Sequence, residues 1–132
     1  MPRLAKGGKW VFGWAPVGGG GWVAIPPEAC REYGLSAGQE VIFLKGSRAS
    51  GGFSVGLPGR IPALLLKRAM GRGRVERGGM IKAPPGAGAR PGDRLLAVRG
   101  SGLALGMLAR GSIYEAAIRH HGLAAPRHDL RG

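Results

Sequence analysis

Basic side chains are the chemical groups this chain has in excess. Twenty Lys and Arg stand against seven Asp and Glu, a formal net charge of +13 over 132 residues. A field of that sign draws polyanions, with DNA, RNA and anionic membrane surfaces as the candidate partners. The bases are unevenly spread: seven basic and three acidic residues in 1–60, thirteen and four in 61–132. Lys6 and Lys9 come first, Arg31 follows, and Arg72, Arg74, Arg77 and Lys82 crowd one short stretch interleaved with glycine. Bases so placed neutralise phosphates and release counterions, which yields affinity with little sequence discrimination. The bland alternative is a solvated surface in a composition rich in Arg, Ala and Gly.

Other chemistry has less support. A single cysteine, Cys30, rules out an internal disulfide and a cysteine-only metal site. His120, His121 and His128 have no ligand spacing, and no histidine precedes them to activate Cys30 as a nucleophile. The expectation is a non-enzymatic protein with no cofactor and no metal. Trp10, Trp14 and Trp22 alternate with apolar residues, a pattern that suits core filling or a subunit contact better than stacking on bases. The Gly18–Gly21 run between two of them reads as a hairpin tip, since it lacks the Lys-Ser/Thr ending of a phosphate loop.

The elements that must carry these residues are short strands and turns. Twenty-seven glycines and ten prolines argue against long helices, and an internal repeat sets the order. Gly21-Trp22-Val23-Ala24-Ile25-Pro26 matches Gly79-Met80-Ile81-Lys82-Ala83-Pro84. The segment Leu35 to Ser47 matches Ala89 to Ser101 through a small-x-Gly turn, an apolar strand, a base and Gly-Ser. Gly52-Phe53-Ser54-Val55-Gly56 matches Gly102-Leu103-Ala104-Leu105-Gly106. Each unit reads as a strand ending at proline, a second strand after the turn, and a short third strand. Between the first two, Pro27 and Gly34 bracket a short helix over Glu28 to Tyr33. The second copy is four residues shorter there and reads as a loop.

Ile61 to Met70 lies outside the repeat and suits a short helix or extended connector. Ser112 and Glu115 form a capping-box pattern, with Ser112 as N-cap of a helix running to about His120 and stopping at Gly122. The organisation expected is a first unit over 7–58, a connector over 59–71, a second unit over 72–110, a helix over 111–122 and a flexible tail over 123–132.

Val23 to Val41, with its Val-Ala-Ile-Pro strand and Gly34-Leu35-Ser36-Ala37-Gly38 turn, resembles the AbrB/MazE/SpoVT family of DNA-binding domains. Ala83-Pro84 and Arg90 to Val98 resemble it a second time. The resemblance implies a mainly β fold, a small swapped-hairpin barrel built from two tandem hairpin units with one or two short helices. Closure of such a barrel removes exposed strand edges. It also implies a DNA surface near the hinge helix, where Arg31 matches a basic position. Its neighbour Cys30, and Trp22 and Met80 before the two strands, stand where the family usually has bases.

A related barrel occurs in pyruvoyl decarboxylases, which cleave themselves at Gly-Ser bonds. Gly46-Ser47, Gly100-Ser101 and Gly111-Ser112 are such pairs, but two fall at equivalent turns and the third at a helix start. The function expected is therefore binding of double-stranded DNA in transcriptional regulation, with phosphate contacts from Lys6, Lys9, Arg31, Arg72, Arg74, Arg77 and Lys82. The chain would act as a homodimer or as a pseudo-dimeric monomer. The alternatives are an antitoxin-like or scaffolding module for a protein partner, docked through the last helix, and an RNA-binding protein. No apolar run approaches the ~20 residues that span a bilayer and none follows the basic start, so the expected location is the cytoplasm, away from membranes.

Overall fold

Strands β3 (Glu40–Lys45) and β7 (Arg94–Arg99) share one burial design: a charged residue at each end and four buried apolar residues between. Four consecutive buried residues on a period-2 element mean that both faces of the strand are covered. The computed structural model describes residues 10–100 and 103–120. The remaining elements are β1 (Val11–Pro16), β2 (Trp22–Ala24), α1 (Pro27–Tyr33), β4 (Phe53–Gly56), β5 (Ala69–Arg74), β6 (Met80–Lys82), β8 (Ala104–Leu108) and α2 (Ser112–Ile118), with three short 3₁₀ segments. The fold is mainly β, in antiparallel sheets.

The first helix follows the sequence signals: Pro27 occupies its first turn and Gly34, at φ 69°, ends it in the left-handed conformation. The shorter second copy has no helix between β6 and β7.

Six strands form one sheet in the order β1-β7-β8-β4-β3-β5, and β2 and β6 form a separate ladder. The first strand of each half pairs with the third strand of the other: β1 with β7, and β5 with β3. Residues equivalent by the repeat face each other directly, Val55 with Leu105 and Val23 with Ile81, so a local two-fold axis passes through both ladders. Even the irregularities are duplicated. β1 bulges against β7 between Val11 and Gly13, and β5 bulges against β3 between Ala69 and Gly71, with Gly13 and Gly71 at φ 146° and 157°.

The repeat thus begins at Val11 and Ala69, and each half has a strand ahead of the three read from the sequence. β5 starts inside the 59–71 segment read as a connector. The two opening strands share little beyond Gly13 with Gly71 and Val17 with Val75, which is why the match is hard to see in the chain.

The expected closed barrel is not formed: no sheet is closed. Between β1 and β2 the ladder is reduced to the bridge Val17–Val23, and between β5 and β6 to Glu76–Met80. Pro16, with no N–H, ends β1, and Gly78 and Gly79 turn the chain sharply after β5 at φ 80° and 75°. In both places the hairpin arms splay away from their turn.

Inside, the main core takes Val41 and Phe43 of β3, Leu95 and Ala97 of β7, Phe53 and Val55 of β4, and Leu105 and Met107 of β8. The alternate residues face outward and are covered by segments outside the repeat. Ile42 and Leu44 pack under Ile61 and Leu65 of the connector. Their equivalents Leu96 and Val98 pack with Val11 and Trp14 under Ile113, Tyr114 and Ala117 of α2. Connector and α2 follow the fourth strand of their respective halves, so they are structural counterparts despite unrelated sequences. Ser112 is not the N-cap of α2. Gly111 holds that position at φ 105°, its carbonyl accepts from the Glu115 N–H, and no side chain caps the helix, which ends at Ile118.

Two ion pairs among the described residues join the halves, Arg72 with Glu40 and Arg99 with Glu32. Arg99 at the end of β7 donates two hydrogen bonds, of 2.6 and 2.7 Å, to the Glu32 carboxylate on α1. These bonds hold the Glu32 carboxyl below its ordinary range. A carboxyl depressed by folding adds stability above its unfolded pKa, and that stability is lost as pH falls through the lower folded pKa. Glu32→Gln is therefore expected to lower stability modestly at neutral pH, with the difference from wild type shrinking as pH falls below about pH 4.3, as followed by urea midpoints. Leu105→Ala, at the centre of the axis and fully buried, is expected to cost about 2–5 kcal/mol in the same measurement with an unchanged m-value.

Candidate nucleic-acid interface

The splayed hairpin of β5 and β6 opens a groove of about 350 Å³. Arg72 and Arg74 come from one arm and Lys82 from the other, with Trp22 beside Lys82 and the Phe43 ring among the lining groups. Trp22 and Lys82 are cross-strand partners in the β2·β6 ladder and share a face; their neighbours Val23 and Ile81 point into the core with no exposure. On β5 the glycines matter for access. A Cβ on Gly73 would come within 2.9 Å of the Phe43 ring, so glycine there lets the backbone lie directly on the aromatic.

The cations are positioned by backbone and carboxylate partners from β3 and its preceding turn. Arg72 Nη1 donates to Glu40 Oε1 at 2.8 Å, and Arg74 Nη1 donates to the Gly38 carbonyl at 3.0 Å. A guanidinium has five N–H donors, so each arginine held through one of them keeps others for a ligand. Both side chains of the Arg72–Glu40 pair are more than half exposed, and such a pair contributes little to stability. Glu76 also lines the groove.

Three of the sequence-predicted bases are therefore brought together, and others are not. Arg77 is exposed in the turn between β5 and β6; Lys82 is on β6, the strand that the sequence ends at Pro84, whereas Arg72 and Arg74 lie on β5, ahead of it. Arg31 is exposed in the last turn of α1, outside the groove lining. α1 and the β5–β6 turn meet where Gly79 packs on the Cys30 Sγ. Burial raises the Cys30 thiol pKa, with Arg31 opposing it, which disfavours the nucleophilic thiolate. Lys6 and Lys9 lie outside the described residues, as do His121, His128, Gly122, Ser101 and the 123–132 tail.

The other half of the molecule offers a comparison within one chain. The repeat aligns Arg72 with Trp14, Arg74 with Pro16 and Lys82 with Ala24. Trp14 is buried edge-on against Tyr114, with centroids 5.2 Å apart, and the Arg94 guanidinium lies 3.7 Å above its ring. Tyr114 Oη completes the arrangement by donating to the Arg94 carbonyl at 2.8 Å. α1 also packs against the first half's opening strands, burying Ala29 and Tyr33 with Phe12 and Ala15, whereas the second half has only a loop in that place. The fold is thus satisfied by uncharged residues at positions 14, 16 and 24, and nothing in the architecture requires cations at 72, 74 and 82.

The tryptophans divide accordingly. Trp14 is core, as the sequence pattern suggested, while Trp10 and Trp22 are half-buried. Sequence reasoning missed the roles of Glu40, Gly38 and Glu76, which come from strand pairings between distant parts of the chain and leave no local signal.

Among the described residues no helix is long and apolar enough to cross a membrane, and no group of three or more His, Cys, Asp or Glu stands close enough to hold a metal ion. Comparison with family models, curated proteins and solved structures found no match to this chain.

If the groove cations serve a ligand and not the fold, removing them leaves the fold intact. Arg72→Ala, Arg74→Ala and Lys82→Ala together are expected to move the unfolding free energy by less than about 1 kcal/mol, measured by urea denaturation. A loss above about 3 kcal/mol would mark the three side chains as structural.

Proposed function

We propose that this protein binds DNA through its phosphates, as a regulator built on a swapped-hairpin arrangement of the AbrB type. The observation that carries the reading is the divergence of the two halves. Equivalent positions hold buried Trp14 and Ala24 and half-buried Pro16 in one half and exposed Arg72, Arg74 and Lys82 in the other. Solvated composition alone would place bases on both halves without regard to the groove. The exchange of opening strands between the halves supports the architectural part of the reading, because a swapped-hairpin domain pairs its units in that manner and here the exchange is made within one chain.

Arg72, Arg74 and Lys82 contact phosphates, with Arg77 and Arg31 on the adjoining turn and helix. Contacts of this kind set affinity and register and carry little sequence information. Site selection would then rest on DNA shape and deformability. A non-catalytic role with no cofactor fits the same reading.

A protein-partner role is favoured by one observation: Leu64 and Leu66 of the connector are exposed, Leu64 at 74%. The helix α2, which the sequence offered as a docking element, instead spends Ile113, Tyr114 and Ala117 on the fold.

Binding of a labelled random duplex across a salt series separates the two. For phosphate contacts, log K falls steeply with log salt, and the Arg72→Ala, Arg74→Ala, Lys82→Ala variant lowers the slope by about 2–3 units. A control lacking three exposed bases outside the groove (Lys45, Arg90 and Arg119) is expected to keep most of the slope. No binding at low salt would overturn the DNA reading and leave the connector leucines as the lead.

A further inference from the structure

We infer that the β5–β6 groove takes an unpaired nucleotide, its base stacked on Trp22 and its flanking phosphates held by Arg72, Arg74 and Lys82. This rests on the nucleic-acid reading above and specifies what part of the ligand enters the groove. Phosphate binding by itself calls for cations on an open surface. The groove instead combines a cationic rim with aromatic and proline walls: Trp22, Phe43, Pro84 and Pro85 line it together with the bases. Bases within a duplex have their faces covered by their neighbours, whereas an unpaired base presents a free π-face that aromatic side chains and arginine planes can stack on.

The placement of Trp22 fits that use. Its pairing with Lys82 puts an aromatic side chain and an ammonium on one side of a two-stranded ladder, both in the groove lining. The Trp22 indole edge lies against Gly20, where a Cβ would stand 3.4 Å from Cδ1, and Gly20 is held at φ 73°. The tip that carries Trp22 is thus shaped around the indole by glycine. Its equivalent in the other half is Met80, which is no stacking platform and lies beside Ala24 in the same ladder. Glu76, also in the lining, supplies an acceptor for an exocyclic amine. The loop that replaces a helix after β6 keeps the space open: Pro85 and Gly86 are exposed there, whereas α1 buries Tyr33 in the first half.

The test compares a labelled single strand, dT12, with a 12-base-pair duplex on the full chain, using wild type, Trp22→Leu and Trp22→Phe. Trp22→Leu is expected to weaken dT12 about tenfold and the duplex less than twofold, with Trp22→Phe restoring most of the dT12 affinity. Equal weakening of both ligands, or none for dT12, overturns the inference while the DNA reading stands. Failure of wild type to bind either ligand at low salt overturns the reading itself. Because a Trp22 variant can fail to fold, the unmodified protein is also photocrosslinked to a dT12 carrying 5-iodouracil. The crosslinked peptide is expected to contain Trp22, and a crosslink confined to peptides outside the groove overturns the inference independently.

Discussion

Val55 and Leu105 oppose each other at the centre of the six-stranded sheet, both fully buried, and the pairing of β4 with β8 around them is the contact on which the other elements depend. Neither half can bury its apolar face alone, because its strands are short and its opening strand has no partner within the half. Joining β4 to β8 brings each third strand within reach of the other half's first strand, and the core closes over Phe43, Phe53, Leu95 and Met107. Glycine makes the approach possible. A Cβ on Gly52 would collide with the Met107 carbonyl, and one on Gly56 would lie 2.8 Å from the Ile61 side chain and 3.0 Å from the Leu103 carbonyl. These positions cost backbone entropy, and the burial they permit offsets it.

Once that central pairing is set, duplication makes both sides available for different ends. Each third strand has an outward apolar face that must be covered, and two unrelated segments do so: a 3₁₀ connector over Ile42 and Leu44, and a helix over Leu96 and Val98. The covering requirement is physical, since apolar area left in water costs about 25 cal/mol per Å²; the identity of the cover is free. The same freedom applies at the splayed hairpins. One half fills its gap with a helix and an aromatic cluster, and the other leaves it open under a shorter loop. A site thereby arises without disturbing the frame, because the frame is already satisfied by the neutral version of the same geometry.

Electrostatics follows from the same economy of burial. No polar or charged side chain is buried among the described residues, and no buried side-chain polar atom lacks a partner. The charged groups are therefore solvated, and their net field acts outward without a desolvation cost to the fold. The few carboxylates are used to aim cations: Glu32 holds Arg99 across the halves and Glu40 holds Arg72 at the groove. An arginine aimed in this way enters binding with less side-chain entropy to lose.

Much of the local structure was legible in the chain. Proline and glycine at Pro27, Gly34, Gly38 and Gly92 placed the first helix and the equivalent turns, because φ restrictions are local and act whatever the surroundings. The repeat located six of the eight strands and a surplus of bases between 72 and 82. What the chain could not display was set by contacts between distant segments. The opening strands β1 and β5 are defined by their partners in the other half and share almost no residues. Gly111, not Ser112, caps α2 because of how the chain leaves β8. Between the splayed hairpin arms only the bridges Val17–Val23 and Glu76–Met80 remain. Bases at 72, 74 and 82 were visible as charge, yet their gathering around Trp22 follows from strand pairings, β5 with β3 and β2 with β6, that only tertiary structure decides. Local propensity depends on neighbours in sequence, whereas a site depends on which backbones hydrogen-bond across the fold.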